Sequence, residues 1–150
     1  MEKAEEFLAG WTENYLKNRD LILRRIEKLS RQKEKIEVKY KDRQHTYLIE
    51  PFLEENILKK LSDSHQTIVC FNTKENIEFA LKHWEELIKH AYLSIFFVNP
   101  FSKTEKIWII YPQTHHGISD KATLNQGIYS LAEQVESTAK KEIETILSAS

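Results

Sequence analysis

The first quarter of the chain carries apolar side chains at close to helical spacing. Between residues 3 and 34 they recur about every 3.6 positions, as they would on one face of a helix. The main positions of this stripe are Leu8, Trp11, Tyr15, Ile22, Ile26 and Leu29. We therefore predict one long amphipathic helix and assign residues 1–35 to it. Because the stripe is long for one small domain, it also predicts packing between the helices of two chains.

The next part of the chain alternates between apolar and polar positions, which is typical of strands. Residues 36–41 and 45–50 are separated by a short polar link, and this pattern predicts a β-hairpin. A short amphipathic helix is expected over 52–62. Residues 67–72 form a continuous apolar run, as expected for a strand covered on both faces.

A βαβ unit is the clearest prediction in the chain. A helix over 74–90 follows the strand at 67–72, and a second buried strand follows at 93–98, so the two strands are expected to be parallel. A strand at 107–111 comes after a short connection, which favours an antiparallel pairing with 93–98.

The last part of the chain predicts a loop followed by a helix. Residues 112–119 are assigned to the loop, and the helix starts at Ser119 or Asp120 and runs to about residue 147. The predicted fold is α/β, with α+β-like features. Its mixed sheet is built on one βαβ unit plus hairpins, with long N- and C-terminal helices packed on it. We expect the α/β region, residues 36–150, to form one structural domain with the N-terminal helix.

Composition narrows the class of protein. The chain has 150 residues with 41% hydrophobic and 30% charged side chains, which is typical of a globular domain. The single cysteine excludes an intramolecular disulfide framework. No apolar run approaches the ~20 residues of a membrane-spanning helix, and the acidic start MEKAEE differs from a signal peptide. We expect a cytoplasmic protein that does not associate with membranes.

The net charge of −1 conceals an uneven distribution. Residues 1–45 hold 12 lysines and arginines against 9 acids. Arg24, Arg25 and Arg31 belong to this excess and are the candidates for nucleic-acid contacts on a basic helix face. Acidic residues are interleaved with them at helical spacing, which favours a solvated face with internal ion pairs instead.

Four histidines are predicted to lie at one end of the sheet. His65 and His90 precede buried strands, whereas His115 and His116 follow a strand that runs the other way. Imidazoles that meet in space can bind a divalent metal or act as acid and base. The metal candidates are His65, His90, His115 and His116, and the catalytic candidates are His65, His115, His116 and Asp120. No local metal-binding spacing supports them, so solvated or helix-capping histidines are the alternative.

Polar residues follow both strands of the βαβ unit at their carboxyl ends, where open α/β sheets tend to bind ligands. The candidates for ligand binding are Asn72, Thr73, Asn99 and Ser102. Asparagine and threonine are also ordinary capping residues, so a structural role is the alternative.

These patterns favour a non-enzymatic module that forms homo-oligomers or binds a protein partner through helix 1. A small histidine- or metal-dependent hydrolase or nucleotide-processing enzyme is the alternative, with its site at the His65/His90/His115/His116 end of the sheet. Nucleic-acid binding through Arg24, Arg25 and Arg31 is a weaker alternative.

Overall fold

The structure is a computed structural model that describes residues 2–118 and 121–149. Within them, six strands form one mixed sheet, and helices cover both of its faces. In chain order, the elements are α1 (Glu2–Leu23), β1 (Ile26–Arg31), β2 (Lys35–Tyr40), β3 (Gln44–Ile49), a 3₁₀ helix (Glu55–Lys60), β4 (Gln66–Phe71), α2 (Lys74–Lys82), α3 (Trp84–Leu87), β5 (Leu93–Val98), β6 (Ile107–Ile110), α4 (Pro112–Ile118), α5 (Lys121–Ala132) and α6 (Lys140–Ser148).

The strands lie side by side in the order in which they occur along the chain. β1, β2 and β3 form an antiparallel meander, β3, β4 and β5 are parallel, and β6 runs antiparallel to β5. The predicted α/β class, with a mixed sheet containing a βαβ unit and hairpins, is therefore confirmed.

Two cores lie on the two faces of the sheet. On one face, Leu8 and Leu16 of α1 share a buried cluster with Ile143 and Leu147 of α6. The N- and C-terminal helices thus pack together, as predicted. On the other face, α2, α3, α5 and the 3₁₀ helix cover β4, β5 and β6. In the described part of the chain, no helix is both long and apolar enough to cross a membrane.

The predicted extent of helix 1 is wrong, because the helix ends at Leu23 and residues 26–31 form a strand. A β-bulge between Ile26 and Lys28 shifts the register of β1 against β2. The bulge adds one residue, so Ile26 and Leu29 pack against the same core although they are three positions apart. A bulged strand therefore reproduced the spacing that we interpreted as helical.

The end of α1 is held by one of its own side chains. Arg24 has a φ of 49°, in the left-handed region that few residues other than glycine adopt. The Asp20 carboxylate accepts hydrogen bonds from the backbone N–H groups of Arg25 (2.7 Å) and Ile26 (3.1 Å). Asp20 thus satisfies the donors that the turn exposes, and the chain leaves the helix there.

Three shorter predictions also need correction. The helix expected over 52–62 is a 3₁₀ helix at Glu55–Lys60, and the helix expected over 74–90 breaks at His83 into α2 and α3. The loop expected over 112–119 contains α4, which begins at Pro112 because proline fits the first turn of a helix.

The predicted C-terminal helix is divided into α5 and α6. The link between them contains Thr138, whose backbone N–H donates to the Asn72 carbonyl (2.9 Å) and which forms a parallel bridge with Thr73. The link therefore crosses the carboxyl ends of the parallel strands in extended form. The predicted capping residues Ser119 and Asp120 lie outside the described residues.

Candidate functional site

The four predicted ligand-binding residues come together at the carboxyl ends of β4 and β5, and all four are buried. The Asn72 amide donates to the carbonyls of Val135 (3.3 Å) and Glu136 (3.2 Å), and its oxygen accepts from Trp108 Nε1 (2.8 Å). Asn99 also donates to the Glu136 carbonyl, at 2.8 Å.

The other two candidates make similar internal bonds. Thr73 Oγ1 accepts from the Asn76 N–H and caps α2, and Ser102 Oγ donates to the Glu136 carboxylate at 3.5 Å. All four side chains therefore hold parts of the chain together at this end of the sheet.

The predicted histidines lie at the opposite end of the sheet but in separate surroundings. The His65 ring contacts Tyr92, with 4.4 Å between centroids, and His90 Nδ1 lies 3.8 Å from an Asp63 carboxylate oxygen.

The other two histidines lie next to Trp84, which packs in the core that α2, α3 and α5 cover. Trp84 Nε1 donates to His116 Nδ1 (3.3 Å), and the Trp84 ring lies 6.1 Å from the His115 ring. Burial lowers the pKa of His115. Among the described residues, no three histidine, cysteine or acidic side chains form a group that could hold a metal ion. Asp120 lies outside the described residues.

The three candidate arginines do not share a helix face, which corrects the predicted geometry. Arg24 and Arg25 lie in the turn after α1. Arg31 lies on β1 and faces α1, where it contacts the Glu13 carboxylate (3.3 Å) and the Glu6 carbonyl (3.2 Å). Arg31 therefore joins β1 to α1.

The last turn of α1 exposes its apolar side chains to solvent. Most of its apolar stripe packs on the sheet, with Leu8 and Leu16 fully buried. The exposed fractions of Leu21, Ile22 and Leu23 are 72%, 89% and 53%. We call these three residues the α1 tip. Three consecutive large aliphatic side chains in water are typical of an interaction surface.

Arginines surround the α1 tip without acidic partners. In the described part of the chain, no carboxylate oxygen lies within 4.0 Å of the guanidinium groups of Arg19, Arg24 and Arg25. Of the two acids close to them in sequence, Asp20 uses its carboxylate to hold the turn, and Glu27 lies 3.7 Å from Lys39 Nζ. We call these three residues the arginine collar.

A small cavity of about 80 Å³ opens beside the α1 tip. Its lining includes Arg19, Arg25, Arg43 and Tyr40, and Leu23 of the tip also lines it. The Arg43 guanidinium lies over the Tyr40 ring, 5.2 Å from its centroid. We call this cavity the arginine pocket.

A chain of buried hydrogen bonds lies next to the arginine pocket. His45 Nε2 and Thr67 Oγ1 are 2.7 Å apart, and Thr67 Oγ1 is 2.7 Å from Ser94 Oγ. His45 Nδ1 is buried and has no hydrogen-bond partner among the residues that the structure describes. Burial, with added repulsion from Arg43, His65 and Arg19, lowers the pKa of His45 to about 3, so this imidazole is neutral at physiological pH.

Sequence reasoning did not identify Arg43, Tyr40 or His45 as site residues. They lie on or beside the β2–β3 hairpin, and Arg19 reaches them from α1 across the end of the sheet. A usable signal was present in Thr67 and Ser94, because polar residues near the start of two apolar strands must find partners when they are buried.

No protein-family model, curated protein or solved structure matches this chain. The chemistry of the α1 tip and its arginine collar therefore carries the functional proposal.

Proposed function

We propose that this chain is a non-enzymatic binding module that docks onto a protein partner through the α1 tip. The partner would offer an apolar pocket with an acidic rim. The observation that carries this proposal is the combination of three exposed aliphatic side chains with a collar of arginines that have no acidic partner among the described residues.

The apolar part of the proposal rests on how α1 is used. The buried part of its stripe already serves the core, so the α1 tip lies beyond what the fold requires. Complete burial of a leucine or isoleucine side chain contributes about 1.5–3 kcal/mol. Three such side chains in a partner's pocket are enough for a central cluster of binding energy, after the cost of association is subtracted.

The charges favour a partner that differs from this chain. In a symmetric dimer, the same surface of two copies meets, which would bring Arg24 and Arg25 of one copy towards the same arginines of the other. An acidic rim instead complements the collar and speeds association. A nucleic-acid duplex would neutralise the arginines but leave Leu21, Ile22 and Leu23 largely in water.

The test is site-specific photo-crosslinking in cells, with p-benzoylphenylalanine in place of Ile22. The matched control carries the same residue in place of Tyr129, which is exposed on α5 at the other face of the sheet. A protein that crosslinks from position 22, and not from position 129, is identified and purified, and its affinity is measured by calorimetry.

We expect Ile22→Ser to weaken the Kd about tenfold or more, because the side chain lies at the centre of the proposed contact. Arg24→Glu should also weaken binding, with a larger effect at low salt. Tyr129→Ser should leave the Kd unchanged.

Other outcomes would overturn the proposal. The proposal fails if every protein that crosslinks from position 22 also crosslinks from position 129, or if no protein crosslinks from position 22. A dimer in sedimentation that Ile22→Ser dissociates would make a second copy the occupant. Ile22-dependent binding to anionic vesicles, or Arg24-dependent binding to duplex DNA that Ile22→Ser leaves intact, would identify a different class of partner.

A further inference from the structure

The geometry points to a second binding site in this protein: the arginine pocket takes the phosphate group of a small phosphate monoester. The side chains that would hold the phosphate are Arg19, Arg25, Arg43 and Tyr40. This site shares Arg19, Arg25 and Leu23 with the proposed docking surface, but the binding of a small phosphate monoester does not require the protein partner.

The charge of the pocket favours an anion. Three guanidinium groups line it against two carboxylates, those of Asp20 and Asp42. Asp20 is occupied by the N–H groups of the turn after α1. Asp42 has a mostly exposed side chain and lies 3.4 Å from Arg43 Nη1. Positive charge therefore exceeds negative charge in the pocket, and Arg19 and Arg25 have no carboxylate within reach in the described part of the chain.

The size of the pocket admits a phosphate group. The volume open to the centres of water molecules is about 80 Å³, several times the ~10–15 Å³ that a single water requires. Several water-sized positions are enough for the oxygens of a phosphate group. The remainder of a monoester would lie outside the cavity, where Leu23 offers an apolar contact at the edge.

The donors fit a tetrahedral dianion better than a planar carboxylate. Guanidinium groups bind phosphate oxygens through paired N–H donors, and several of them can approach a tetrahedron from different sides. The hydroxyls of Tyr40 and Tyr47 are 2.7 Å apart. Burial raises the pKa of Tyr47, so its hydroxyl stays protonated. When Tyr47 donates to Tyr40, the Tyr40 proton is free for a phosphate oxygen.

The experiment is calorimetric titration of the full chain with inorganic phosphate and with phenyl phosphate, at neutral pH and constant ionic strength. We expect phenyl phosphate to bind more tightly than inorganic phosphate, because its ring can contact Leu23. Arg19→Gln and Arg43→Gln should each weaken the Kd about tenfold, since each removes a charged donor, and Tyr40→Phe should weaken it about threefold.

The matched control is Lys41→Gln, which removes one positive charge from the same turn. Lys41 is exposed and does not line the pocket, so its variant should bind phenyl phosphate as the native chain does. Circular dichroism and the thermal midpoint of each variant show whether it is folded. A folded Arg43→Gln that loses binding, beside a Lys41→Gln that keeps it, supports the pocket.

Three outcomes would overturn the inference. Absence of binding at millimolar phenyl phosphate would remove the site. An equal loss in Lys41→Gln would show diffuse attraction to a basic surface. Tighter binding of inorganic phosphate than of phenyl phosphate would mean that the pocket takes the free ion and not a monoester. Because no protein partner enters this titration, its failure is distinct from failure of the crosslinking experiment.

Discussion

At the carboxyl ends of the parallel strands, Asn72 and Asn99 hold the link between α5 and α6 through backbone carbonyls. At the amino ends of the same strands, Arg19 and Arg43 line a cavity, and among the described residues neither donates a hydrogen bond to a backbone carbonyl. Both ends are rich in polar residues. The carboxyl end uses them to close the fold, whereas the amino end leaves charge available to a ligand.

The position of polar residues in an α/β sheet is therefore weaker evidence for a ligand-binding site than whether their side chains already have partners within the chain. The carboxyl edge is where such sheets usually bind ligands, but here its asparagines are already hydrogen-bonded to other parts of the chain. The amino edge has a buried nitrogen on His45 that lacks a hydrogen-bond partner among the described residues. In the same part of the chain, Arg19 has no acidic partner, whereas Arg43 has one in the mostly exposed Asp42. Three predictions test the contrast between the two ends.

The largest effect on stability is expected at the carboxyl ends of the parallel strands, from Asn72→Ala. The substitution leaves the buried Trp108 N–H without an acceptor and two carbonyls of the α5–α6 link without a donor. We expect a loss of about 3 kcal/mol in the free energy of unfolding, measured by urea denaturation. Asn14→Ala, at an exposed position of α1, is the control and should be within about 0.5 kcal/mol of the native chain. A loss below ~1 kcal/mol for Asn72→Ala would show that the link is held by other contacts.

A second effect concerns stability in acid and arises at the amino ends of the parallel strands. The pKa of His45 is lowered to about 3 in the folded chain, whereas an unfolded histidine titrates near ~6.5. Below about pH 6.5 the unfolded chain therefore takes up a proton that the folded chain refuses, and stability falls until the pH reaches about 3. At about pH 4.5 the loss due to His45 should be roughly 2–3 kcal/mol.

His45→Gln isolates this contribution, because its amide can still bond to Thr67 but does not titrate. Urea denaturation between neutral pH and about pH 4.5 should show a smaller loss of stability in His45→Gln than in the native chain. His115, whose pKa is also lowered by burial, contributes with the same sign in both proteins and cancels in the comparison. Equal pH slopes for the two proteins would contradict a buried neutral His45.

Much of the fold was predictable because its strands carry clear local patterns. The βαβ unit and the β2–β3 hairpin follow from apolar runs and from alternation within a few residues of where the structure has them. The error at β1 arose because a β-bulge brings Ile26 and Leu29 to one core at a spacing that helices also use. The break between α5 and α6 depends on distant bonds to Asn72 and Asn99, which no local pattern reports.

The candidate site was less predictable because its residues are distant in sequence. Arg19 and Arg43 come from α1 and from the β2–β3 turn, and they meet only because α1 crosses the end of the sheet. Sequence spacing gave no reason to pair them. The α1 tip was hidden for another reason: its leucines and isoleucine continue the apolar stripe that the core uses, so their exposure depends on where the helix ends.

The smallest effect is expected for Ile22→Ser, at the most exposed residue of the α1 tip. Because the Ile22 side chain is 89% exposed, its removal takes almost no apolar surface out of the core, and the free energy of unfolding should change by less than about 0.5 kcal/mol. Leu16→Ala in the buried part of the same helix should instead cost about 2–5 kcal/mol. Urea denaturation of both variants over a range of protein concentrations makes the comparison. A large loss for Ile22→Ser at high concentration alone would show that the tip is buried between two copies, whereas a concentration-independent loss would place it in the core of the monomer. A negligible loss at all concentrations would show that neither the fold nor a dimer needs the α1 tip. The three exposed aliphatic side chains would then be best explained by a protein partner other than a second copy of this chain.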